Sequence, residues 1–360
     1  MSIYHKLVSS KWLYAYVNQL LKSLNQRKCL GLKHILFLFV DHFELAGKAP
    51  RLSEWMTQYP LLASRHLDSD GRAPQHTWFY ALDLIREDEL ALLRNLVDGR
   101  FGELELHWHH QYDTVDSFQN KLRNGLEIFN EYGYMRPIHK DKIGCFGFIH
   151  GNWSLDNACG DAFCGVNNEI ELLQKAGCYG DFTFPALYSE AQPPIINSIY
   201  YVVDDEKPKS YFKGNIAEVG IKPGHNEFMI FEGPMTINWY DWRFIWHPLI
   251  ETGEIGSSCS HGDPKRIDAW IRQHIHVKGR PEWIFVKIFC HGGQDHESVL
   301  GEHSEKMFSY LEDRYNDGKE YCLHYITARE AYNIVKAAED GMTGNPDQYR
   351  DYVIPHPSKR

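Results

Sequence analysis

The chain has 360 residues, 43% hydrophobic and 24% charged, with 38 basic against 48 acidic side chains and a net charge of −10. This balance excludes disordered, collagen-like and low-complexity classes, and it offers no general attraction to phosphate backbones, so nucleic acid is not an expected partner. Its 20 histidines, 10 tryptophans and 21 tyrosines suit metal ligation, proton transfer and stacking against flat ligands such as sugar rings.

In chain order, residues 1–33 come first, where Leu13, Val17, Leu20, Leu21 and Leu24 fall at helical spacing. They predict an amphipathic helix that packs on the domain, with peripheral contact to a membrane surface as the alternative. Asn18, Gln19 and Lys22 interrupt its apolar character, so it does not read as a signal peptide, and the longest apolar run, 35–40, is too short to cross a bilayer. A cytoplasmic protein without a transmembrane segment is the expectation.

Strand signals follow at 34–40, 77–82, 104–108, 143–149, 179–184, 235–239, 284–289 and 321–326. Helical patterns lie between them at 87–97, 117–132, 168–175, 264–274, 304–314 and 328–338. Alternation at this spacing predicts an α/β fold of parallel strands joined by crossover helices, closed or nearly closed into a barrel over 34–340. From 185 to 261 the pattern breaks into Pro-, Gly- and aromatic-rich stretches, read as an inserted loop or hairpin region, and 341–360 reads as a polar surface tail. The eight cysteines (29, 145, 159, 164, 178, 258, 290 and 322) form no C-x-x-C. They are expected to be mostly free thiols, with Cys159 and Cys164 the pair best placed to depart from that.

Parallel α/β folds gather functional groups where strands end, and four strands end in candidates. ILFLFVDHFE carries Asp41 and His42; GELELHWHH carries His107 and His109, which alternate onto one strand face; IGCFGFIHGNW ends in His150, Asn152 and Trp153; WIFVKIFCHGG ends in His291. A single histidine at a strand end is more often structural, but four such ends brought together point to a divalent metal, for which His-x-His is a common pair of ligands. Trp153, Trp239, Trp242 and Trp246 taken singly read as core, and Lys287 as a buried salt-bridge partner. Glu103 and Glu105 either orient the imidazoles from behind or form a solvated strand face.

In this arrangement the sequence resembles the polysaccharide deacetylases with NodB homology. VDHF is similar to the family's first motif, with Asp41 at the position of the catalytic base and His42 where the family has an Asp ligand. LHWHH corresponds to the second motif, GFIHGNW to the third, GDFTFPA with Asp181 to the fourth, and FCH ending in His291 to the last. HGNWSLDN, CGVNNEIELL, GCYGDFTFPA, NSIYYVVDD and TAREAYNIVKAA resemble a divergent subgroup associated with exopolysaccharide synthesis. The resemblance implies a deformed (β/α) barrel of about seven units and metal-dependent hydrolysis of an N-acetyl or O-acetyl group on a carbohydrate. It implies zinc on His42, His107 and His109, with His110 or Asp113 as substitute ligands, because Gln111 and Asp113 break the family's spacing of two histidines four apart. Asp41 is then the base and His291 the acid, while His150, Asn152, Trp153 and Asp181 are expected against substrate. Another metal-dependent hydrolase, or a non-catalytic carbohydrate-binding subunit of polysaccharide assembly, are the alternatives.

Overall fold

The computed structural model describes residues 11–25, 31–45, 49–135, 144–238, 249–257 and 262–357. Its strands are β1 Lys33–Phe43, β2 His76–Ala81, β3 Gly102–Trp108, β4 Phe146–His150, β5 Cys178–Asp181, β6 Ser198–Val202, β7 Asn215–Ile216, β8 Phe228–Glu232, β9 Thr236–Asn238, β10 Leu249–Glu251, β11 Trp283–Cys290 and β12 Tyr321–Ile326. Its α-helices are α1 Lys11–Asn25, α2 Ala49–Ala63, α3 Glu87–Asp98, α4 Val115–Glu131, α5 Glu169–Ala176, α6 Pro264–Arg272, α7 His296–Leu300, α8 Glu302–Tyr315 and α9 Ala328–Glu339.

The longest strand, β1, is apolar almost throughout because it is central and covered on both faces. It pairs in parallel with β11 from His34↔Trp283 to Asp41↔Cys290. On its other edge β12 lies along its first half and β2 along its second. The parallel ladder continues through β3, β4, β5 and β8, after which β6 and β7 add antiparallel, giving a mixed sheet of 10 strands. The expected α/β alternation is therefore present. Two differences stand out. The region expected as a loop or hairpin supplies two full sheet strands, β6 and β8, and α2, absent from the expected helices, forms with Pro60 inside it.

Alternation sorts the β1 side chains onto two faces. Leu36, Leu38 and Val40 meet Phe79, Ile149, Phe231 and Phe285 on the inner face, while Ile35, Phe37 and Phe39 meet Trp55, Trp78, Leu93 and Leu126 under the outer helices. The sheet curls until Phe231 of β8 and Phe285 of β11, near opposite ends of the strand order, stand 5.5 Å apart between ring centroids. Among the described residues the hydrogen-bond ladder does not run round to close a barrel.

Helix α9 covers the inner face at the amino ends of the strands. A capping box between Thr327 and Glu330 starts it, and Ala331, Ile334, Val335 and Ala338 pack into the inner cluster. From it Arg329 reaches Glu103 with two hydrogen bonds of 2.8 and 2.7 Å. Glu105 in turn accepts from the Tyr179 hydroxyl and the Gly147 N–H, so these two buried glutamates do not stand behind the imidazoles of the strand ends; Glu103 has His356 Nε2 at 3.8 Å instead. The opposite, carboxyl ends of the strands are left to other work.

At the carboxyl end the expectation is corrected, and at the amino end the helix packs on the domain as expected but through other residues. The residues beyond 340 do not trail on the surface: Arg350 is buried and binds Asp347, Glu330 and the Tyr325 carbonyl, and Ile354 is buried too. Helix α1 docks through Trp12 and Tyr16 against Ile196 and Met235, with Gln19 donating to the Ile196 carbonyl. The expected packing residues Leu13, Val17 and Leu21 are instead exposed.

Candidate metal centre

Inner-face alternation along β1 continues from Val40 to His42, and along β3 from Glu105 to His107. At the carboxyl ends of β1, β3 and β11 this gathers a chain of imidazoles. His109 lies 4.6 Å from His107, His107 5.0 Å from His42, and His42 4.7 Å from His291, all between ring centroids. Glu44, two residues after His42, brings its Oε1 to 3.1 Å from His107 Nε2 and 3.6 Å from His109 Nε2. Its Oε2 accepts from Gln294 at 2.7 Å. One ligand atom each from Glu44, His107 and His109 lies within 4.8 Å of the others, a spacing that could hold a metal ion. Asp83 stands behind His109, 3.5 Å from Nδ1, and accepts its backbone N–H.

The tautomer of His107 sharpens this. Its Nδ1 is 3.0 Å from the Ile149 carbonyl, which can only accept, so Nδ1 carries the hydrogen and a neutral ring presents a lone pair at Nε2. That lone pair faces a carboxylate oxygen. Burial lowers the His107 pKa, and the contact with Glu44 only partly offsets it. Burial alone would raise the Glu44 carboxyl, but the adjacent His107 and the other imidazoles nearby hold it below its ordinary value. Two acceptors this close are stable only with a proton or a cation between them. His42 is kept neutral, first by burial and then by His291, His107 and His109.

Of the residues singled out in the sequence, His42, His107, His109 and His291 are thus brought together. Asp41 is not. It points to the outer face, fully buried, where it accepts from His76 Nε2 at 2.9 Å and from the Gly292 N–H at 2.7 Å. His150 also faces outward, its ring tilted against that of His110 with centroids 4.7 Å apart. Asp113 pairs with Lys121 at 2.7 Å. Asn152 is exposed and Trp153 half-buried, both at positive φ in the turn after β4. Asp181 has no exposed surface and lies in register with Phe148 and Ile230 of the outer face, accepting from the Thr183 N–H and hydroxyl, and burial pushes its pKa up to about 7. Lys287 donates to the carbonyls of Phe182 and Phe184. Trp239, Trp242 and Trp246 lie outside the described residues.

Sequence reasoning missed Glu44, although its place two residues after His42 in VDHFE puts it on the same face. Asp83 and Gln294 carry no comparable signal. A groove of about 890 Å³ opens beside His109, lined among others by Asp83, Asp88, Lys121 and Asn124. No known family model matches the chain, and no curated protein matches it.

Proposed function

We propose that the chain is a metal-dependent hydrolase that removes an acetyl group, most simply an N-acetyl group, from an amino sugar in a polysaccharide or its precursor. The observation that carries the hydrolase part is the His107 lone pair held against the Glu44 carboxylate at the open end of the sheet. The acetyl and sugar parts rest on the resemblance in motif order to polysaccharide deacetylases, and the groove beside His109 supports them by setting Asp83, Asp88, Lys121 and Asn124, which can bond hydroxyls, among apolar walls that include Trp108.

Two imidazoles and a carboxylate match the three-ligand set of catalytic zinc, so Glu44, His107 and His109 would hold a divalent ion, with His42 beside them. When bound, such an ion polarises a carbonyl and lowers the pKa of water. The chain's own groups supply the rest. His42, neutral and in ring contact with His107, accepts the proton of the attacking water. His291, half-exposed and next to His42, donates to the departing amine nitrogen as the tetrahedral intermediate collapses. We assign Asp41 the positioning of the His291–Gly292 turn, because its carboxylate holds the Gly292 N–H. In the described residues no helix is long and apolar enough to cross a membrane.

The test is acetate release. Metal-loaded protein incubated with N-acetylglucosamine oligomers, nucleotide-linked acetamido sugars and O-acetylated glycans should free acetate from at least one acetamido set, and chelation should abolish it. Release from O-acetylated glycans alone would make the protein an esterase, chain cleavage without acetate would make it a glycosidase, and no turnover of any set would overturn the reading.

A further inference from the structure

We propose that His110, His150, Cys164 and Glu169 form a second metal site, closed and structural, that takes zinc on the outer face of the sheet. It stands on residues separate from the cluster at the strand ends and does not depend on the hydrolase reading. His150 ends β4, His110 follows β3 with its ring 4.3 Å from Trp108, Cys164 sits in the loop between β4 and α5, and Glu169 opens α5. His110 is 5% exposed, and His150, Cys164 and Glu169 are 0% exposed. One ligand atom from each of the four lies within 4.8 Å of the others.

Glu169 is the hub. Its Oε1 is 3.0 Å from His110 Nε2 and 3.5 Å from His150 Nε2, and its Oε2 is 3.5 Å from Cys164 Sγ. The decisive atom is His150 Nε2. His150 Nδ1 hydrogen-bonds the Gly151 carbonyl, so it carries the ring hydrogen and Nε2 is left as a lone pair. That atom is buried, has no hydrogen-bond partner, and is aimed at the Glu169 carboxylate. An acceptor facing an acceptor in a dry site is costly, and a cation between them removes the cost.

The donor set fits zinc in kind and in charge. A thiolate and a carboxylate balance the two positive charges, two neutral imidazoles complete four ligands, and no fifth position opens to solvent, as in structural rather than catalytic zinc sites. The outer contacts are those of a metal-bound imidazole. Asp113 Oδ2 stands 3.2 Å from His110 Nδ1, a carboxylate on the far side of the ring although neither atom is hydrogen-bonded, and Lys121 offsets its charge. The Val166 N–H points at Cys164 Sγ at 3.4 Å, which favours a thiolate. The ion would tie the ends of β3 and β4 to α5 across a loop that has only short 3₁₀ turns of its own.

Cobalt substitution of the full chain tests this, because sulfur ligation gives a thiolate-to-cobalt charge-transfer absorption that an imidazole and carboxylate site lacks. We expect the band in the unmodified protein and in His107→Ala, and its loss in Cys164→Ser together with one bound metal per chain. Stripping metal from His107→Ala should lower its thermal midpoint, and zinc should restore it. No band in the unmodified protein, a band that survives Cys164→Ser, or unchanged metal content in soluble Cys164→Ser would overturn the proposal. A His107→Ala protein that keeps its band but loses no metal would support this site while removing the one at the strand ends.

Discussion

At the residue scale, the cluster divides its work between side chains that hold charge and side chains that move protons. Replacing Glu44 by Gln leaves the shape but removes the carboxylate facing His107, so metal content measured by elemental analysis should fall. An unchanged content would place Glu44 outside the ligand set. For His291→Ala we expect amide turnover to drop by about 10²–10⁴-fold, the usual worth of a general acid, with a smaller loss on activated esters whose leaving group needs no proton. Equal losses on both substrates would argue against the acid role. Asp41 belongs to a different class. Asp41→Ala would leave buried His76 and the Gly292 N–H without their acceptor, and denaturant unfolding should show a loss of about 3–5 kcal/mol. A stability change near zero would mean that the turn after His291 is held by something else.

At the element scale, α9 is the piece that makes one end of the sheet a floor and leaves the other as the open end. Its apolar residues fill the inner face, but Arg329 decides its register, because the guanidinium spans Glu103 and the carbonyls of Arg350 and Ile354. Arg329→Met should cost about 3–5 kcal/mol in urea unfolding by leaving Glu103 buried with only the His356 ring, 3.8 Å away, beside it. Adding Glu103→Met should recover much of that loss, and additive costs would show that the two side chains do not act as a pair. The antiparallel pair β6 and β8 matters in the same way, since Phe231 on β8 is what meets Phe285 when the sheet curls.

At the scale of the whole molecule, the interior carries carboxyl groups that set how stability depends on pH. Burial pushes Glu105 up to about 8, despite the hydrogen bonds from Tyr179 and Gly147. The folded chain therefore keeps this proton at a pH where the unfolded chain, with its ordinary value of 4.5, has lost it. Stability from this group is greatest below about pH 4.5 and declines by about 1.4 kcal/mol per pH unit until the folded group ionises near pH 8. Glu105→Gln should flatten that decline in melts taken between pH 5 and 8. A parallel pH profile for the variant would show that Glu105 is ionised in the folded state.

Much of this was legible in the chain itself. The α/β alternation, the strand ends that carry His42, His107 and His291, and the shared face of His107 and His109 all follow from periods of 3.6 and 2, which are local properties. Period two also separates Asp41 from His42 and His150 from Ile149, but it cannot say which of the two faces turns inward. That choice belongs to the tertiary structure, where the curl of the sheet and the covering helices send Asp41, His110 and His150 outward to their own partners. The same holds for Glu44, Cys164 and Glu169, which acquire meaning only when segments distant in sequence meet, and for β6 and β8, whose place in the sheet is decided when β8 pairs with β5 and β6 with β8.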